Sequence, residues 1–92
     1  MALERRRLGR TDLEVSCLGL GAMGVISHYH SDPRTAHRLV HHALDLGIDF
    51  IDTAASYFDS EEVLGQALRG RWDDVTVATK SNMRSAKRFG QE

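Results

Sequence analysis

Cysteine, proline and net charge are all scarce in this 92-residue chain. One cysteine, Cys17, leaves no internal disulfide to form, and its setting in VSCLGL predicts a small buried side chain. Pro33 is the only proline, and there are no repeats or low-complexity tracts. Lys+Arg 12 against Asp+Glu 13 gives a formal net charge of -1, which removes any global field for nucleic acid or an anionic membrane. The basic runs Arg5-Arg6-Arg7 and Arg84 to Arg88 are short and read as solvated surface. No stretch approaches the ~18 uninterrupted apolar residues of a membrane span. The opening MALERRRLGR has charges but no apolar run behind them, so a signal peptide is not expected. The setting to expect is soluble, reducing and cytoplasmic, in a single small domain.

What is present is an alternation of strand and helix signals. RRRLGRTDLEVSCLGLG reads as two short strands around Gly9-Arg10-Thr11-Asp12, a hairpin running into a first core strand at Ser16 to Leu20. Ser31-Asp32-Pro33 is a helix start: Asp32 can cap free amides, and Pro33 loses nothing at the first helical position. Ala36, Leu39, Val40, Ala43 and Leu44 then recur at helical spacing, with His37, Arg38, His41 and Asp45 largely opposite, until Gly47 ends the run. Ile48 to Asp52 reads as a second strand. Ser60 is the expected cap of a second helix, with Glu61 and Glu62 at its positive end, Val63, Leu64, Ala67 and Leu68 as its apolar stripe, and Gly70 as its stop. Val75 to Thr79 is β-branched and apolar, a third strand ending at Lys80. The strand ends at Leu20, Asp52 and Lys80 stand about 30 residues apart, the length of a βαβ unit with parallel strands. The fold class is α/β.

Gly19-Leu20-Gly21-Ala22-Met23-Gly24 matches the dinucleotide pattern G-x-G-x-x-G. That fingerprint needs a helix to open at the glycines, whereas Val25 to His30 intervenes before Asp32-Pro33. A tight turn whose small residues admit a close neighbour fits better. His37 and His41 have the i, i+4 spacing of some metal pairs, but no third ligand or H-E-x-x-H context accompanies them, so no metal is expected.

In α/β proteins the chemistry gathers at the carboxyl ends of parallel strands. Asp52 ends the second strand, Tyr57 follows in its loop, and Lys80 ends the third. A phenol holds its proton to about pH 10, and a nearby ammonium makes it a better donor near neutrality. The carboxylate would keep that ammonium charged and oriented. On spacing alone, an Asp–Lys ion pair with a tyrosine filling the loop is an equally good reading.

At FIDTAASYFDSEEVLG the sequence resembles the aldo-keto reductases, whose pattern D-T-A-x-x-Y-x-x-S-E-x-x-L-G is met by Asp52, Thr53, Ala54, Tyr57, Ser60, Glu61, Leu64 and Gly65. LGRTDLEVSCLGLGAMG resembles that family's N-terminal hairpin and first strand, and VTVATK its third strand, so the likeness runs from about Leu8 to Lys80 in order. The resemblance implies a (β/α)8 TIM barrel that transfers hydride from a nicotinamide, usually NADPH with NAD as the other choice, to an aldehyde or ketone. Asp52, Tyr57 and Lys80 would be members of its catalytic tetrad, with Tyr57 as general acid, Lys80 tuning it and Asp52 holding Lys80. Gly21, Ala22, Met23 and Asp52 would lie beside the cofactor, and Tyr29 and Phe58 hint at an aromatic rim.

The resemblance also implies a fourth tetrad member, a histidine ending the fourth strand, and none of His28, His30, His37, His41 or His42 corresponds to it. A complete barrel needs about 250 residues. The expectation is therefore an N-terminal portion, residues 1–92, truncated before the fourth strand, with Ser81 to Phe89 resembling a third loop. Such a piece alone would leave a sheet face and edges uncovered, and it is expected to be inactive, molten or self-associating. Two other readings stay open: a non-enzymatic nucleotide-binding accessory subunit of the same family, and a free-standing nucleotide binder that would quench Trp72.

Overall fold

The computed structural model describes residues 3–26 and 32–81, so Tyr29, His28, His30 and the Arg84 to Arg88 run lie outside the described residues. Strands β1 (Arg5–Arg7) and β2 (Glu14–Ser16) form the expected antiparallel hairpin, with Arg6 opposite Val15. Its turn is closed by the Leu8 amide donating to the Leu13 carbonyl at 2.8 Å and the Thr11 hydroxyl to the Leu8 carbonyl at 2.6 Å.

Asp49 fastens this hairpin to the rest of the chain. Its carboxylate accepts from the Arg5 guanidinium at 2.7 Å and the Ser16 amide at 2.9 Å, and its own amide donates to the Ser16 hydroxyl at 3.1 Å. Burial pushes the Asp49 carboxyl up, but the Ser16 amide and Arg5 guanidinium outweigh it and hold the group below its ordinary value. A carboxyl depressed in the folded state contributes stability above its unfolded value of about 3.9, and that contribution is lost as pH falls through the lower, folded value. Asp49→Asn is therefore expected to lower Tm at neutral pH and to flatten the further loss below about pH 4. Tm measured against pH for both chains checks this; the same acid slope in each would remove Asp49 from the role.

The same tie explains a correction. Cys17, expected to be buried, is exposed. Its neighbour Ser16 takes the inward position, its hydroxyl spent on the Leu18 carbonyl at 2.6 Å and the Asp49 amide, while Cys17 lies past the end of β2, its amide donating to the Glu4 carbonyl at 2.8 Å and its side chain left outside. The first core strand is also shorter and later than expected, β3 (Leu20–Gly21), because residues 17–19 serve as the link from the hairpin. Gly19 lies tight there: a Cβ would stand 3.3 Å from the Phe50 carbonyl oxygen. The close approach expected of the glycine pattern is thus made by the neighbouring strand.

Strands β3, β4 (Phe50–Asp52) and β5 (Thr76–Ala78) are parallel and adjacent in that order. Leu20, Ile51 and Val77 share one row, and Gly21, Asp52 and Ala78 the next. Since successive side chains face opposite sides, the first row packs on the helices and the second faces away. Ile51 is fully buried in a core with Ala22, Ile26, Val40, Leu44, Val63 and Leu64.

Helix α1 (Pro33–Asp45) starts as the sequence predicts, the Asp32 carboxylate accepting from the Arg34 and Thr35 amides at 2.8 and 3.1 Å. It ends in a Schellman arrangement: the Ile48 amide donates to Ala43, the Gly47 amide to Leu44, and Gly47 takes the required positive φ of 93°. Helix α2 (Ser60–Ala67) buries Val63, Leu64 and Ala67, followed by Leu68. Two readings of these helices need correcting. Asp59, not Ser60, occupies the cap position, because the Ser60 hydroxyl is engaged with Thr53 at 2.9 Å. His41 is half-buried rather than on a solvent face; its Nε2 donates to the Ala67 carbonyl at 2.7 Å, one of the acceptors that a helix end leaves open. Among the described residues, no helix is long and apolar enough to cross a membrane, and no group of three or more His, Cys, Asp or Glu could hold a metal.

Candidate active site

The outward row of the sheet ends in Asp52, and the ladder continues past it. The Ala22 amide donates to the Asp52 carbonyl at 2.9 Å, the Thr53 amide to Ala78 at 2.8 Å, and the Ala55 amide to the Lys80 carbonyl at 3.0 Å. These bonds carry the strand alternation one step beyond β4 and β5. Asp52 and Lys80 consequently project from the same face.

They meet there. Lys80 Nζ donates to Asp52 Oδ1 at 2.8 Å and to the Thr53 carbonyl at 2.8 Å, and it lies 5.0 Å from the centroid of the Tyr57 ring. Lys80 thus clasps the segment 53–55 at both ends, its carbonyl taking the Ala55 amide and its ammonium the Thr53 carbonyl. The Asp52 hydrogen bond, against a smaller opposing burial effect and aided by the Tyr57 side chain, raises the Lys80 pKa above its ordinary value. A raised ammonium keeps its stabilising contacts below its unfolded value of about 10.4 and loses them as pH rises through the higher folded value. Both side chains are at least half exposed, so the pair contributes geometry more than stability.

Tyr57 is half-buried in the β4–α2 loop, its amide bonded to the Ala54 carbonyl at 3.1 Å and its carbonyl accepting from the Ser60 amide at 2.9 Å. The next residue, Phe58, has φ 51°, the left-handed region that costs a bulky side chain about 1–2 kcal/mol. Phe58 is 67% exposed. Strain of this kind gathers at working sites, and no feature of the string SYFDS announced it.

Of the residues expected beside a cofactor, Gly21 pairs with Asp52 in register and is open, since a Cβ there would meet nothing within 4 Å. Met23 is 72% exposed. Ala22 lies in the core, its amide spent on Asp52 and its carbonyl accepting from Val25 and Ile26. The helix required by a dinucleotide fingerprint does not begin at these glycines; α1 starts at Pro33.

The model of the Aldo/keto reductase family matches residues 17–92. Among curated relatives, the uncharacterized oxidoreductase YqkF of Bacillus subtilis (strain 168) is 34% identical over 84 residues, and the aldo-keto reductase YhdN of the same organism 38% identical over 85. These alignments take in 89% and 86% of this chain but 26% of each relative, so the chain spans about a quarter of their length. Among solved structures, PA4992, a candidate aldo-keto reductase from Pseudomonas aeruginosa, superposes with a TM-score of 0.74 at 44% identity, covering 82% of this chain and 29% of that one. An aldo-keto reductase from Klebsiella pneumoniae in complex with NADPH gives 0.60 at 34% identity, covering 72% and 24%.

Proposed function

This chain belongs to the aldo/keto reductase family, forming part of its (β/α)8 barrel, and from that premise we propose that it carries the acid-donating half of a carbonyl reductase active site. The substrate class is aldehydes or ketones, and the cofactor is NADPH, the one held by the Klebsiella relative. The observation that supports this best is the convergence of Asp52, Lys80 and Tyr57, with the ammonium 2.8 Å from the carboxylate and 5.0 Å from the phenol ring.

When bound, the nicotinamide supplies hydride to the carbonyl carbon. The Tyr57 phenol gives its proton to the carbonyl oxygen, whose former π pair becomes the new O–H bond. A phenolate remains on Tyr57, and the Lys80 charge offsets it until water returns the proton. Asp52 and the Thr53 carbonyl keep that charge in place. The residues around Asp52 fit a flat ring beside the acid: Gly21 offers no side chain next to it, and Met23 flanks it exposed. Ala22 shapes this turn from the core side, and Asp52 borders the same surface.

A chimera in which this chain replaces the corresponding segment of the Pseudomonas aeruginosa relative tests the reading. The expected result is NADPH oxidation that depends on added aldehyde or ketone. A soluble chimera that binds NADPH but turns over no member of a broad carbonyl panel would overturn it.

A further inference from the structure

The motif that contains Tyr57 also contains Thr53, Ser60 and Glu61, to which the proton chemistry assigns nothing. Strand alternation explains where they go. Asp52 and Lys80 face outward, so the next residue along from Asp52 and the preceding residue to Lys80, Thr53 and Thr79, face the helices. Each threonine hydroxyl meets the first turn of α2. Thr53 Oγ1 and Ser60 Oγ stand 2.9 Å apart and are both buried, and Thr79 Oγ1 donates to Glu61 Oε2 at 2.7 Å. The loop bearing Tyr57 runs from Thr53 to Ser60, the two ends of the first contact.

We infer that Thr79 and Glu61, with Thr53 and Ser60, are positioning residues: the paired contacts to the first turn of α2 fix the ends of β4 and β5 and so set Lys80 against both Asp52 and Tyr57. The two anchors differ in kind. The Thr53–Ser60 bond is buried and closes the loop on itself, joining positions that flank Tyr57. The Thr79–Glu61 bond is exposed and joins two separate elements, so it governs whether the residue next to it, Lys80, stays aligned with β4. Like the Lys80–Asp52 pair, this exposed contact contributes geometry more than stability: it sets where β5 ends relative to α2. The role of Lys80 in tuning an acid rests on the function proposed above; its placement by Thr79 and Glu61 does not.

The test uses Thr79→Val, which keeps shape and removes the donor, Glu61→Met, which keeps the stem and removes the acceptor at an exposed position, and Thr79→Ser as the rescue. All are made in the chimera. Lys80 is titrated by NMR through the carbon next to its ammonium, and kcat is measured against pH. Thr79→Val and Glu61→Met are expected to bring the Lys80 titration back toward its ordinary value, with the double variant no worse than the stronger single, and Thr79→Ser to match the parent. In the same variants the alkaline limb of kcat should move up by about one unit and kcat at neutral pH fall about three- to tenfold, with KM for NADPH unchanged. An unaltered Lys80 titration in Glu61→Met, whether or not Thr79→Val folds, would overturn the inference. A shifted titration with an unshifted kcat profile would leave the latch standing and remove Tyr57 from the acid role.

Discussion

Tyr57→Phe is expected to lower kcat of the chimera by about 10²–10⁴-fold, the range general acid catalysis supplies, while NADPH binding stays intact. The substitution removes one oxygen and keeps the ring. The Lys80 ammonium, 5.0 Å from the ring centroid, retains its cation–π partner, worth about 0.5–1 kcal/mol at an exposed site. The loop is held by main-chain bonds from Tyr57 to Ala54 and Ser60 and by the Thr53–Ser60 hydroxyls, none of which uses the phenol. A lost rate therefore reports a lost proton rather than a rearranged site. Fluorescence titration with NADPH and steady-state kinetics separate the two. Turnover within about threefold of the parent would place the acid elsewhere, on another side chain or water.

Local chemistry made part of this structure readable in advance. The start of α1 follows from Asp32-Pro33 and its end from Gly47, because caps act within a few residues of themselves. The convergence of Asp52, Tyr57 and Lys80 was readable because parallel strands in adjacent βαβ units end together. What escaped depends on partners distant in the chain. Asp49 reads as one more polar residue of the second strand, yet it ties down the hairpin through Arg5, 44 positions away. Periodicity puts His41 on a polar face, but the face opposite the sheet is not all solvent when a second helix ends beside it. Ser60 looked like a cap for the same reason that serines usually are, and a buried threonine claimed its hydroxyl first. Cys17 reads as part of a buried strand, but β2 ends at Ser16 and the link that follows leaves the thiol outside. The Thr79–Glu61 contact had a signal, since both residues sit beside recognised positions, but only the register of β5 against β4 shows that they face one another.

Neighbouring residues on β4 should separate stability from activity. Ile51 is fully exposed to the core and not to water, flanked by Leu20 and Val77 and covered by both helices. Ile51→Ala removes buried methyl groups from the middle strand and leaves a void that two helices and two strands cannot all close, so a loss of about 2–5 kcal/mol is expected. Against the ~5–15 kcal/mol that holds an ordinary domain, this is a large share. Asp52, the next residue, has its side chain 61% exposed and its ion pair in contact with solvent. Asp52→Asn should change stability by no more than about 0.5 kcal/mol, since exposed pairs contribute little. Its effect falls on Lys80, whose partner keeps an acceptor oxygen but no longer carries the charge that most strongly favours the ammonium, and kcat should drop at least about tenfold. Urea unfolding and kinetics on the two variants of the chimera read both axes. The expected outcome is a low midpoint with retained specific activity in the surviving folded Ile51→Ala, and a parental midpoint with lost activity in Asp52→Asn. If instead both variants lost stability alike, Asp52 would belong to the packing of the sheet, and the convergence at its outward face would be a structural ion pair.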